Sequence, residues 1–321
     1  MAKKKRFYNP HFDKKPLSIK QIIHSLKMEK KLEVAPHDFV FPNLMLPTER
    51  ENSKPSACWL NHSSFHLNYH GVHLITDPVW SKRCSPVPFL GPKRRHPVPH
   101  ALNHFSKVDF VLISHNHYDH LDKKTVLKLN ALHPQIQWIV PIGVAKWFKK
   151  RQILNVTELA WHEELHFTQD GESVTITAVP TQHFSGRGLH DRNKSHWNGY
   201  VVTFNNPAQL KKAYFVGDTG YNPHDFKVIG EKYGPMDLSL IPIGAYRPRF
   251  FMREVHVNPE EAVFIHQEVK SKLSIGMHWK TFKLTSEKMH QPPYDLFQSL
   301  EKYGVSTRDF RVLEIGQTIH W

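Results

Sequence analysis

The sequence predicts an α/β fold, on three observations. Short apolar runs of strand length, rich in β-branched residues, alternate with helical stretches through most of the 321 residues. Several of those runs end directly on His or Asp. The length suits one large α/β domain or two small ones, with a core that needs no staples.

Taken in order, residues 1–55 read as an N-terminal extension and residues 56–321 as the main domain. A helix is expected over 18–31, with Leu17, Ile22, Ile23 and Leu26 on one stripe that packs on the core. Residues 36–55 are rich in Pro, Asn and charge and read as an irregular wrapping segment. From Ser56 the pattern changes. Residues 57–60 and 72–76 are expected strands, with His70-Gly71 near the turn between them. The second runs into Asp77-Pro78, where Asp can simply form a turn. Residues 80–104 form a long loop rich in Pro and Gly, of a length often found in lids and rims.

The next stretch, Phe110 to Asp122, reads FVLISHNHYDHLD. Phe110–Ile113 is an expected buried strand ending at Ser114. Four ligand-type residues follow within six positions: His115, His117, Asp119 and His120. Imidazoles with a carboxylate are the ligand set of zinc, with iron or manganese as alternatives. Residues i and i+2 leaving a strand point the same way, so His115 and His117 can hold one ion. Asp119 and His120 can reach a second as the chain turns. A chain with 25 His will cluster some by chance, but four ligand-type residues directly after a buried strand favour the metal reading. Asp122 is placed to cap a short helix over 123–130.

Further strands are expected at 138–140, 155–159, 174–179, 200–204, 212–216, 238–241, 273–277 and 310–313. Helices are expected at 143–150, 258–269 and 292–303. Asn258 is the expected N-cap of the second of these helices, with Pro259 at its first position and Glu260-Glu261 in its first turn. The strand ending at Val179 leads to His183, the one ending at Val216 to Asp218, and the one ending at Met277 to His278. Sites in α/β proteins gather at strand ends, because rigid strands position the loops there.

His-x-His-x-Asp-His after a strand resembles the motif of the metallo-β-lactamase superfamily. Asp77-Pro78, Gly91-Pro92-Lys93-Arg94, Gly217-Asp218-Thr219-Gly220-Tyr221, Ile241-Pro242-Ile243-Gly244-Ala245-Tyr246 and His278-Trp279 narrow the resemblance. They are similar to the N-acylphosphatidylethanolamine-hydrolysing phospholipase D branch, from about Cys58 to the C-terminus. The resemblance implies a four-layer αββα sandwich holding two divalent cations, zinc above all. By the superfamily's order, His183 joins His115 and His117 on one ion. His278 joins Asp119 and His120 on the other, and Asp218 bridges both. It further implies that Asp77 supports a metal ligand from behind, and that Tyr118 and His256 contact substrate. Tyr118 packing beneath the site and His256 as a structural loop residue are the alternatives. Lys93, Arg94 and Arg95 are expected phosphate or headgroup contacts. The sequence departs from many relatives at Asn61-His62-Ser63-Ser64, where a Gly-His turn is usual, and carries extra His and Arg over 185–196.

Two ions about 3.5–4 Å apart lower the pKa of water towards ~7 and neutralise charge building on a phosphoryl oxygen. No other nucleophile competes. Cys58 and Cys84 stand in no catalytic or metal-type spacing, and there is no Gly-x-Ser-x-Gly elbow or Walker loop. The expected activity is therefore metal-dependent phosphodiester hydrolysis, with Asp119 and Asp218 as the catalytic carboxylates and Asp119 also helping to move a proton to the leaving alkoxide. The resemblance implies N-acylphosphatidylethanolamine as substrate, with N-acylethanolamine and phosphatidic acid as products. The alternative is a hydrolase of small soluble phosphodiesters or lactones.

The net charge of +14 favours anionic partners, either phospholipid surfaces or nucleic acid; a plain solubilising role for Lys is the alternative. Basic clusters lie at 3–6, 93–96 and 149–151. No nucleic-acid-binding motif accompanies them, and no room exists between Asp218 and His278 for a clamp domain, so anionic lipid is preferred over nucleic acid. Met1 to Arg6 is basic with no apolar stretch behind it, so no secretory signal is expected. No run of about 18 apolar residues occurs, so no transmembrane helix is expected either. The default location is cytoplasmic or peripheral to a membrane. A homodimer is left open, with no motif behind it.

Overall fold

A computed structural model describes residues 6–12, 18, 20, 21, 23, 24, 27, 34–42, 55–169, 172–206 and 209–321. The helix expected over 18–31 and most of the wrapping segment lie largely outside them. Two seven-stranded sheets face each other. The first has the order β14-β1-β2-β3-β4-β5-β6, from β1 (Ser56–Asn61), β2 (Ser64–Tyr69), β3 (Val72–Thr76), β4 (Phe110–Leu112), β5 (Gln137–Pro141), β6 (Val156–Leu159) and β14 (Thr318–His320). The second has the order β13-β12-β11-β10-β9-β8-β7, from β7 (Glu164–Gln169), β8 (Glu172–Val179), β9 (Gly199–Asn205), β10 (Leu210–Phe215), β11 (Leu238–Pro242), β12 (Ser274–Met277) and β13 (Phe310–Arg311).

Each sheet has the same plan. Three or four antiparallel strands lead into parallel ones: β3 to β6 run parallel in the first sheet, and β10 to β13 in the second. Parallel pairs need crossovers, and helices supply several of them. The helices with described bounds are α1 (Lys123–Leu132), α2 (Ala145–Lys149), α3 (Asp225–Lys232), α4 (Arg249–Met252), α5 (Pro259–Glu268) and α6 (Gln291–Tyr303). The expected capping at Asn258 is present in full: its side chain accepts from the Glu261 amide, and the Glu261 carboxylate accepts from the Asn258 amide.

The runs of apolar residues have a simple cause: both faces of the central strands are covered. In β4 and β5, Leu112 and Ile139 point into the core between the sheets, beside Ile176, Tyr200 and Leu240. Val111, Trp138 and Val140 point the other way, against Val126 and Leu129 of α1 and Phe148 of α2. The layers are therefore helix, sheet, sheet, helix, as expected. The short strands β2, β7 and β14 and the helices α3 and α4 are additions to the sequence reading. The strand expected over 310–313 pairs only at Phe310 and Arg311.

One expectation is overturned here. Arg94 is buried, and its guanidinium donates to the carbonyls of Val79 at 2.7 Å and Ser81 at 3.2 Å. It ties the long loop to itself and to Phe282, so it is not a headgroup contact. A single terminal nitrogen, Nη2, reaches both carbonyls, which turns the guanidinium into the loop and away from the surface. Lys93 and Arg95 on either side are exposed.

Candidate metal centre

The parallel strands deliver the site. Asp77 follows β3, Ser114 to His120 follow β4, Asp218 follows β10, and His278 follows β12. His183 comes four residues past β8. Three backbone positions at this end hold left-handed φ values that non-glycine residues rarely adopt: His62 (41°), Asp77 (31°) and His278 (62°). Such strain persists where the surroundings over-determine it. Gly217 (φ 69°) is there of necessity, since a Cβ would lie 2.9 Å from Ser114 Cβ and 3.1 Å from the Asn198 carbonyl oxygen.

Two groups of side chains converge on Asp218. In the first, His117 Nδ1 lies 2.7 Å from His115 Nε2 and 3.3 Å from His183 Nε2. In the second, Asp119 Oδ2 lies 3.6 Å from His120 Nε2 and 3.7 Å from His278 Nε2. Asp218 Oδ2 stands between them, 3.1 Å from His278 Nε2, 3.2 Å from His120 Nε2, 3.8 Å from His183 Nε2 and 3.9 Å from His115 Nε2. The seven candidate ligands thus lie together around Asp218.

The hydrogen bonds behind these groups test whether a metal fits. Asp77 accepts from the Ser114 amide at 2.7 Å, from Ser114 Oγ at 2.5 Å and from His120 Nδ1 at 2.6 Å. Ser114 Oγ, its own proton spent on Asp77, accepts from His115 Nδ1 at 2.9 Å. His183 Nδ1 donates to the Val255 carbonyl at 2.8 Å. In all three imidazoles the proton is committed outward, so the Nε2 lone pair faces inward, where it meets other lone pairs and the Asp218 carboxylate. His120 Nε2, His278 Nε2 and Asp218 Oδ1 are buried with no hydrogen-bond partner. Inward lone pairs around a buried carboxylate repel one another, and divalent cations relieve that. The donor set, imidazole nitrogen with carboxylate oxygen, suits zinc.

Burial holds His117 and His183 uncharged, at about 3 and about 4. At His120 and His278 burial also lowers the pKa, but the Asp218 and Asp119 carboxylates outweigh it, pushing His120 well above its usual range and His278 up to about 9, a positive charge that bound cations would supply instead. For Asp218, burial alone would raise the pKa. The neighbouring His120 and His278 outweigh it and hold the carboxyl well below the usual range.

Three residues escaped the sequence reading as parts of the site. His62, within the stretch noted as a departure, points Nε2 at Asp119 Oδ2 from 3.2 Å and lies against His278. Arg187, in the extra-basic stretch 185–196, donates to the carbonyls of Asn116 and Leu121, each at 2.8 Å. It brackets the loop that carries His117, Asp119 and His120. Ser114 relays between Asp77 and His115 and showed only as the residue that ends a strand. Replacing Arg187 by Ala removes the bracket while leaving every candidate ligand in place. A 10- to 100-fold loss of metal affinity is expected, of the order seen for outer-shell partners. Chelator competition checks it, and unchanged affinity would show the loop to be rigid without Arg187.

The two expected substrate contacts fare differently. His256 is buried, its Nδ1 is unpartnered and lies 3.9 Å from Asp218 Oδ2, and its carbonyl is held by Arg249 Nη1 at 2.8 Å. The Tyr118 hydroxyl donates to the Arg187 carbonyl at 3.1 Å, with the Arg187 guanidinium 3.8 Å over its ring. His256 is therefore free to meet a ligand, while Tyr118 already has a backbone partner.

Comparison with known proteins agrees with this geometry. A family model described as a beta-lactamase superfamily domain matches residues 73–279. The chain is 44% identical over 268 residues to the N-acyl-phosphatidylethanolamine-hydrolyzing phospholipase D 1 of Caenorhabditis elegans, covering 81% of this chain and 74% of that one. It is 34% identical over 285 residues to the mitochondrial N-acyl-phosphatidylethanolamine-hydrolyzing phospholipase D of Saccharomyces cerevisiae, covering 87% of this chain and 60% of that one. Among solved structures, a metallo hydrolase from the archaeon Ignicoccus hospitalis superposes with a TM-score of 0.58 at 20% identity, over 84% of this chain and 98% of that one.

Proposed function

The chain belongs to the β-lactamase superfamily in its metal-dependent hydrolase form, and from that premise we propose that it is a phospholipase D-type phosphodiesterase with two zinc-type ions. Its substrate is N-acylphosphatidylethanolamine, cleaved to N-acylethanolamine and phosphatidic acid. The observation that carries this reading is Asp218 Oδ2 lying between two groups of His nitrogens, with buried His256 beside it. The worm and yeast relatives bear names with that activity.

His115, His117 and His183, Asp119, His120 and His278, and Asp218 would hold the cations, which when bound would supply Lewis acidity, make water nucleophilic at neutral pH and neutralise phosphoryl charge. The residues of the chain do the rest. Asp218 aligns both groups. Asp77, Ser114 and the Val255 carbonyl hold three imidazoles in the tautomer that faces inward. His256 Nδ1 orients a phosphoryl oxygen. Water adds its hydroxyl to phosphorus as the bond to the N-acylethanolamine oxygen breaks, and the proton left over reaches that alkoxide by way of Asp119. His62 fixes the Asp119 carboxylate for this step.

A lipid substrate is favoured by two loops that meet at Tyr118. The loop 80–104 packs there through Cys84, in one cluster with Val79 and Phe282, and the loop 185–196 covers it with Arg187. Both carry bare apolar tips: Phe89 is 77% exposed, Leu90 66% and Leu189 95%. Exposed Lys93 and Arg95 sit beside the first. Apolar tips among cations fit an anionic bilayer surface. No helix among the described residues is long and apolar enough to cross a membrane. Phe89→Ser with Leu189→Ser is expected to cut turnover on phosphatidylserine-containing vesicles roughly 10-fold or more, each buried side chain being worth about 1.5–3 kcal/mol. Turnover of a short-chain, water-dispersed analogue stays within about twofold. Equal loss on both substrates would remove the docking role.

The reading is tested on metal-loaded protein with N-acylphosphatidylethanolamine, phosphatidylcholine, an aryl phosphodiester, a lactone and a β-lactam. Release of N-acylethanolamine that stops on chelation supports it. Cleavage of only the aryl diester or the lactone overturns the lipid substrate and leaves a hydrolase of small molecules.

A further inference from the structure

A second cluster of metal-type side chains stands apart from the centre. His11, in the segment 6–12, points Nδ1 at Asp225 Oδ1 from 2.7 Å. His224 points its own Nδ1 at the same oxygen from 3.4 Å. The two rings lie 3.9 Å apart. The three ligand atoms all lie within 4.8 Å of one another, much as His115, His117 and His183 do in the main centre at 2.7–3.3 Å.

Charge makes this more than a hydrogen-bonded corner. Asp225 is 6% exposed in its side chain, and among the described residues its ion pairs are with His11 and His224 alone. No Lys or Arg among them neutralises it. Its other oxygen, Oδ2, accepts from Asn222 Nδ2 at 2.8 Å, and the Asn222 side chain also accepts from the Asp225 amide. The carboxylate is thus fixed with Oδ1 turned outward. A buried carboxylate without a cation is costly. Two imidazoles and a carboxylate form a three-ligand zinc-type set. His11 and His224 are 40% and 57% exposed, which leaves the outer side to water as a fourth ligand.

We infer that His11, His224 and Asp225 form a further divalent-cation site, separate from the catalytic pair. It binds a zinc-type ion and fastens the segment 6–12 over the centre. That segment is already directed there: Asn9 donates to the His183 carbonyl at 2.9 Å and accepts from Trp197 Nε1 at 3.2 Å. On the other side, Asn222 and Asp225 follow Asp218 on the same loop into α3. The ion acts by positioning, through the His183 and Asp218 loops, and touches no substrate.

The test compares wild type, H11A/H224A and D218N. Each is stripped with chelator and reloaded with Zn2+ at a free concentration clamped by a competing chelator, so that weak surface sites stay empty. Metal per folded chain is then counted by mass spectrometry. The double variant is expected to lose one equivalent and keep those of the catalytic centre, while D218N loses equivalents there and keeps this one. Hydrogen exchange over residues 6–12 is expected to quicken at least about tenfold in the double variant with zinc present. Both His are surface residues, so the fold is not at risk, and H224Q serves as a milder second variant. Equal zinc content in wild type and both His variants overturns the proposal. A lost equivalent without faster exchange retains the site and overturns its fastening role. A D218N result that fails to lose metal would count against the main centre alone.

Discussion

Replacing Asp218 by Asn is expected to lower turnover by about 10³-fold or more, the scale of removing a preorganised group that stabilises transition-state charge. Asn is close to Asp in shape, so the loop should not move. Gly217 before it is fixed by contact with Ser114 and the Asn198 carbonyl, and those contacts do not involve the carboxylate. What disappears is the negative charge that both His groups share, since Asp218 Oδ2 lies within 3.9 Å of His115, His120, His183 and His278. One side of the new amide donates, and the inward Nε2 lone pairs of His120 and His278, 3.2 and 3.1 Å from that position, would accept from it, so the amide competes with a cation for them. Metal content should therefore fall together with kcat. The check is metal per chain beside turnover on whichever substrate the panel identifies, with far-UV circular dichroism to show the fold intact. Wild-type metal content with wild-type turnover would remove Asp218 from the centre.

Asp77→Ala is expected to cost about 3–5 kcal/mol of stability, the range for leaving the partners of a buried charge unpaired. Three donors lose their acceptor at once: the Ser114 amide, Ser114 Oγ and His120 Nδ1. All are buried, and an orphaned buried donor costs about 1–3 kcal/mol. The left-handed backbone at this position (φ 31°) adds to the penalty, because Ala tolerates it less well than Asp. Loss of the His120 anchor should also weaken metal binding about 10- to 100-fold. Asp77→Asn keeps an acceptor and the backbone preference, so its cost should be clearly smaller. Urea unfolding of both variants, stripped and reloaded with zinc, checks the two effects separately. A stable Asp77→Ala protein with normal zinc affinity would make Asp77 a simple turn residue before Pro78.

Some of this was written in the order of residues. The β-branched run Phe110–Ile113 reads as a buried strand because both its faces are covered, Leu112 inward between the sheets and Val111 outward under α1. The His-rich run after it is local, so its chemistry shows without a structure. Asn258, Pro259 and Glu261 announce the start of α5 by side-chain bonds that span three residues.

Other features were hidden for an equally physical reason. β14 pairs with β1 across more than 250 residues, and three residues with no apolar run of their own carry no periodic signal. Arg94 sits in a basic cluster that looks like a surface, and only the folded loop shows two carbonyls waiting for its guanidinium. Arg187 and His62 act on the centre from 66 and 57 positions away; composition reveals the residue types but not their partners. The sequence by itself determined the chemistry available, through local ligand residues at strand ends. The tertiary structure decided which side chains stand behind those ligands, since a buried hydrogen bond is selected by three-dimensional proximity and desolvation, and neither depends on distance along the chain.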